Sequence, residues 1–158
     1  MEPRIEEIPK KYLVGMRIET SLAKDETAEL WKTFMPRRNE IPNKLSPGFY
    51  SVQIFPESLD FKEFNEHVLF EKWAAIEVSD LNAVPEGMES HTLHGGKYAV
   101  FIHKGAAHTF PKTYQYIYGV WLPKSAYELD KREHFEFMGA DYRPDDENAE
   151  EEVWVPIK

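Results

Sequence analysis

The sequence predicts an α+β fold in which the order strand, helix, strand, strand occurs twice. Three observations carry this expectation. Apolar side chains alternate over residues 49–55 and 134–138, as in half-buried strands, and the short apolar runs 73–78 and 153–157 also read as strands. Two other stretches, around Trp31 and around Tyr118, repeat at helical spacing instead. Residues 82–87 carry Pro85 and Gly87 and divide the 158 residues almost evenly. The expected molecule is a single domain over 1–158 with two halves, about 1–83 and 88–158. Antiparallel sheets would lie side by side, with helices packed on them and a cleft between the halves.

The elements follow in chain order. Residues 4–20 read as one long first strand, bent near Gly15. Asp25 is the expected N-cap of a helix whose apolar face is Leu30, Trp31 and Phe34, with Pro36 ending it. After a loop over 43–48, the strand 49–55 puts Tyr50, Val52 and Ile54 on one face. Residues 56–67 are a polar excursion with a short helical turn, and 73–78 is the next strand. In the second half, 90–104 contains a strand with Gly95-Gly96 as a turn or bulge. Pro111 fits the first turn of a helix. Tyr114, Ile117, Tyr118 and Trp121 then share one face, and Pro123 is expected to halt that helix. The strand 134–138, an acidic hairpin loop over 145–152 and a final strand 153–157 complete the chain.

Composition removes several function classes. The formal net charge is −9, with 28 acidic against 19 basic residues, which opposes a nucleic-acid footprint. There is no cysteine, so disulfides, thiol catalysis and zinc-thiolate sites are excluded. The six histidines show no metal-ligand spacing. On a strand His91 and His94 would point to opposite faces, and no carboxylate joins them at such spacing; neither a metal nor a cofactor is expected. The first residues lack the basic and apolar segments of a signal peptide. No apolar run approaches the ~20 residues of a membrane span. A cytoplasmic protein is expected, as a monomer or a homodimer.

The candidate site is read from aromatic and acidic residues. Aromatics make up 14% of the chain and supply large contact area to a ligand or to a core. Glu136 lies between Phe135 and Phe137, on the strand face shared by His134 and Met138. A carboxylate in such company is either a surface residue of a half-exposed strand or a buried group kept for something cationic or protic. Tyr114, Tyr118 and Trp121 form either a core stripe or a pocket wall, since the polar tips of buried Tyr and Trp need partners. Trp31, Phe34, Tyr50 and Trp73 are the corresponding aromatics of the first half, and each is equally a core residue. Glu77 shares a strand face with Trp73 and is a second acidic candidate.

Segments spread over nearly the whole chain carry a family resemblance. They are Leu30-Trp-Lys-Thr-Phe34, Phe49-Tyr-Ser-Val-Gln-Ile54, Lys72-Trp-Ala-Ala-Ile-Glu-Val78 and Val84-Pro-Glu-Gly-Met88 in the first half. In the second they are Tyr98-Ala-Val-Phe-Ile-His-Lys-Gly105, Tyr116-Ile-Tyr-Gly-Val-Trp-Leu-Pro-Lys-Ser125, Phe135-Glu-Phe137 and Glu152-Val-Trp-Val-Pro-Ile157. In order and spacing the chain resembles the GyrI-like small-molecule-binding domain, the effector-binding domain of AraC-type regulators. The resemblance implies two strand-helix-strand-strand modules related by a pseudo-twofold around a ligand cleft. It also implies binding of lipophilic, often cationic compounds by aromatic residues and one inward glutamate, matched here by Glu136. The tyrosine common in the family two residues after the position of Phe135 is Phe137 here. With no room for a DNA-binding module in 158 residues, a stand-alone member is expected. Two alternatives stay open. One is hydrolysis of cyclopropane-bearing genotoxins, with Glu136 and Tyr118 as the acting groups. The other is a ligand-responsive module acting on a protein partner.

Overall fold

A computed structural model describes all residues, Met1 to Lys158. Its eight strands join in one antiparallel sheet. They are β1 Arg4–Ile8, β2 Lys11–Thr20, β3 Phe49–Ile54, β4 Phe70–Val78, β5 Glu89–Leu93, β6 Gly96–Lys104, β7 His134–Met138 and β8 Glu150–Pro156. The order across the sheet is β1-β6-β8-β7-β3-β4-β2-β5. Outward from the central β3–β7 pair, both directions meet the same succession of elements. The edge positions are crossed: β1 closes the half built from later residues, and β5 closes the half built from earlier ones.

This crossing corrects the expected long first strand. The chain breaks at Pro9, between β1 and β2, and not at Gly15. Proline lacks the N–H that a ladder needs, so it suits the corner where the chain leaves one sheet edge for the other. Gly15 instead marks a close approach, because a Cβ there would lie 2.0 Å from the carbonyl oxygen of Ala74 on β4. The expected strand in 90–104 is likewise two strands in opposite halves of the sheet: β5 forms the edge beside β2, and β6 lies between β1 and β8. The acidic loop is shorter than expected, because Glu150, Glu151 and Glu152 pair with β6 as the start of β8.

Helix α1, Thr27–Phe34, follows the expected apolar periodicity, but its N-cap is Glu26 and not Asp25; Asp25 lies one residue earlier, where its side chain accepts from the Thr27 backbone N–H at 3.0 Å. It buries Leu30 and Phe34 against Val14, Ala74 and Ile76. Helix α2, Phe110–Tyr116, begins with Pro111 in its first turn. It continues through a wide π turn, Ile117–Trp121, into a last turn Leu122–Lys124. Pro123 therefore lies inside the last turn, one residue before the end. A proline ring clashes with the carbonyl four residues earlier in a regular helix, and a π turn relieves that contact. Ile117 packs on Phe101, Val153 and Val155.

Both helices pack against the same face of the sheet. The other face curls around a separate core of Leu13, Val52, Trp73, Tyr98, Phe135 and Trp154. Two contacts show the curl. Gly95 backs onto Ile8 and Pro9, bringing the two sheet edges together at one corner. Glu133, just before β7, meets His91 of β5, with three strands between them in the sheet.

Candidate functional site

On the helix-bearing face, the floor between α1 and α2 is polar, because the central strands present Ser51, Gln53, Lys72, His134, Glu136 and Glu151 there. All six are buried. Strand register brings them together: Ser51 opposes Glu136, Gln53 opposes His134, and Lys72 opposes Gln53. Gln53 Nε2 donates to Glu136 Oε1 at 2.8 Å, and Lys72 Nζ lies 3.7 Å from the same oxygen. The Tyr114 hydroxyl makes a longer contact, 3.4 Å, to Glu136 Oε2. Tyr118 Oη is 3.1 Å from His134 Nδ1.

A roof of aromatic side chains covers this floor. Helix α2 contributes Tyr114 and Tyr118, whose rings stack 5.8 Å apart. The excursion between β3 and β4 contributes Phe61, which stacks over His134 and faces Tyr118. Phe64 stacks on Phe61, and Phe55 packs edge-on against His134.

Burial sets the electrostatics. Desolvation raises the pKa of Glu136, while Lys72, Gln53 and Tyr114 pull it back. Glu151 is pushed up to about 7 by burial and by repulsion from Glu136, with Lys72 and Tyr142 opposing. His134 is held near 3, chiefly by burial and then by Arg132, so its ring is neutral. Burial also pushes the Tyr114 and Tyr118 hydroxyls well up, so both stay protonated donors. The site thus buries two carboxyl groups, both harder to ionise than exposed ones, beside a single lysine.

The structure brings together three of the eight residues proposed from sequence: Glu136, Tyr114 and Tyr118. Trp31 packs edge-on against Phe34 and Phe49 on the α1 side, and Phe34 is wholly enclosed. Tyr50 and Trp73 lie on the opposite sheet face, where Tyr50 Oη donates to Glu77 at 3.1 Å. Trp121 turns toward Phe101 and Tyr127, away from Glu136. Sequence reasoning missed Gln53, Lys72, Glu151 and the phenylalanine roof. The roof had a visible signal, since Phe55, Phe61 and Phe64 are large apolar residues in a polar loop.

The histidine reading is corrected too. His91 Nε2 and His94 Nδ1 both contact Glu133 Oε2, at 2.7 and 2.9 Å. His94 lies just beyond the end of β5, so strand alternation does not govern its direction. This cluster fastens the curled sheet and lies apart from the floor of Glu136.

The family model for the GyrI-like small molecule binding domain matches residues 1–158. The chain belongs to that family. It is 33% identical over 159 residues to the transcriptional regulator BrlR of Pseudomonas aeruginosa; the match covers 99% of this chain and 56% of BrlR. The chain thus spans about half the length of that relative. Among solved structures, SAV2435 bound to tetraphenylphosphonium has a TM-score of 0.72 at 18% identity, covering 100% of this chain and 94% of SAV2435. A hydrolase from Listeria innocua has a TM-score of 0.62 at 10% identity, covering 99% of this chain and 92% of the hydrolase. Both likenesses concern the fold. No helix is long and apolar enough to cross a membrane.

Proposed function

We propose that this domain binds lipophilic organic cations on the floor around Glu136, under the aromatic roof of Tyr114, Tyr118 and Phe61. One observation carries the reading: two buried carboxylates, Glu136 and Glu151, share a single buried ammonium, Lys72. When both carboxyls are ionised, one further positive charge balances the site. A low-dielectric setting makes that charge worth more than it would be at the surface. The stacked rings add apolar area and cation–π attraction. Glu136 is 6% exposed, so a ligand enters only when the roof moves. Phe61 and Phe64 belong to the connection between β3 and β4 and are the parts placed to move.

SAV2435, which resembles this fold and was solved bound to tetraphenylphosphonium, supplies a probe. Tetraphenylphosphonium and tetraphenylborate share shape and differ in sign. Calorimetric titration is expected to show binding of the cation at micromolar strength and far weaker binding of the anion. Equal binding of the two would remove the electrostatic basis of the reading. Hydrolysis is the second reading: burial makes Glu136 more basic than an exposed carboxylate, the direction a general base needs, and the Tyr114 hydroxyl lies 3.4 Å from it. It predicts product from an electrophilic cyclopropane substrate and loss of that product in Glu136→Gln.

A further inference from the structure

Around Glu136 several buried acceptors have no close donor, and this narrows the ligand beyond its charge. Gln53 is 5% exposed, and its Oε1 has no hydrogen-bond partner. Its orientation is fixed, because Nε2 must face the carboxylate of Glu136; the flipped amide would set two acceptors against each other. Glu136 Oε2 has only the long contact from Tyr114, and Glu151 only a 3.5 Å contact from Tyr142. Lys72 reaches Glu136 at 3.7 Å, beyond a hydrogen bond. Three buried groups thus present acceptor sites that the surrounding side chains fill poorly or not at all. Leaving a buried acceptor unpaired is unfavourable, so a ligand that supplies donors gains more here than one that supplies charge alone.

We infer that the site selects cations that carry N–H groups, such as primary ammonium or amidinium compounds on an aromatic body, over permanently alkylated cations of the same shape. The inference rests on the proposed binding of organic cations around Glu136. It adds a specific atom, Gln53 Oε1, as an acceptor for the ligand, beside the two carboxylates. An ammonium group with three N–H bonds serves Gln53 Oε1 and Glu136 Oε2 together, and its third points toward any remaining acceptor. A trimethylammonium group offers the same charge and no donor.

Hydration makes the comparison decisive. A primary ammonium is more strongly hydrated than its trimethylated form, so an aromatic box that reads charge alone favours the trimethylated ion. The opposite preference requires acceptors in the site. The probes are 4-phenylbenzylamine and its N,N,N-trimethyl derivative, titrated calorimetrically into the full chain at pH 7. The amine is expected to bind about tenfold or more tightly than the trimethyl compound, the scale of one charge-assisted hydrogen bond. Gln53→Met keeps length and removes the acceptor, and the ratio is expected to fall toward one. The wild-type ratio decides the matter if that variant does not fold. Equal binding, or a preference for the trimethyl compound, overturns this inference and leaves the cation reading standing. Failure of both probes to bind overturns the two together.

Discussion

At the scale of single residues, Glu136 and Glu151 divide the work. Glu136→Gln keeps shape and removes the charge nearest the ligand. A charge-assisted hydrogen bond contributes roughly 1.5–3 kcal/mol, so cation affinity should fall about tenfold to hundredfold, while neutral ligands of like shape lose little. Titration of tetraphenylphosphonium into both proteins checks this, and an unchanged affinity would place the charge elsewhere. Glu151 confers a pH dependence. Its folded pKa, about 7, lies above the ordinary carboxylate range, so the folded state holds a proton that the unfolded chain has released. Its contribution to stability is full below the unfolded value and is lost as pH rises through about 7. A bound cation offsets that loss, so affinity for tetraphenylphosphonium, whose own charge is fixed, should strengthen from pH 6 to pH 8. Glu151→Gln should flatten the curve; an equally steep curve in the variant would assign the titration to another group. Alternation placed Glu136 on a face with His134 and Met138 but left it surface or buried; the family resemblance singled it out. Lys72, Gln53 and Glu151 were not legible from sequence, because their meeting depends on the register between strands, Gln53 and Glu136 being 83 residues apart, and one strand's pattern does not encode its partner's offset.

Among the elements, β2 and β4 are held closest. Gly15→Ala would put a methyl group 2.0 Å from the Ala74 carbonyl oxygen and 2.6 Å from Ala75 Cα, both backbone atoms that a rotamer change cannot move. Overpacking of this kind costs about 1–3 kcal/mol. Urea denaturation of the variant should show a lower midpoint at unchanged slope. A midpoint equal to that of the wild type would mean that the strands separate at no cost. The helices and the strands β3 and β7 were legible because local periodicity decides them. The breaks were not. Pro9 and Pro123 are both prolines, yet one turns the chain at a corner and the other sits in a helical turn opened by a π segment. What separates them is the neighbouring backbone, which composition does not reveal. Helix α2 shows the consequence for the site: Tyr114 and Tyr118 share the face over Glu136, while Trp121, past the wide turn, faces the Phe101 core.

For the whole molecule, the crossed edge strands decide how the halves depend on each other. Strand β1 pairs only with β6, and β5 pairs only with β2, so each half completes the other's sheet. The core of Leu13, Tyr98, Phe135 and Trp154 also draws on both halves. If the chain is divided in the connection between β4 and β5, after Val84, the fragment 1–84 retains β1 with no β6 to receive it, and β2 with an open edge. Unpaired edges of that kind recruit other chains. The edge of β2 holds the position in its half that β6 holds in the other, so the β1 of a second copy could lie against it. The fragment 1–84 is therefore expected to be unfolded at low concentration and to associate at high concentration. Mixing it with the fragment 85–158 should restore a one-to-one complex with the circular dichroism of the intact chain. Analytical ultracentrifugation with circular dichroism distinguishes these states. A folded monomer of either fragment alone would show that the exchanged strands are ornaments on two independent modules; recovery only in the mixture would show that the binding floor, built where β3 meets β7, exists because the halves complete each other's edges.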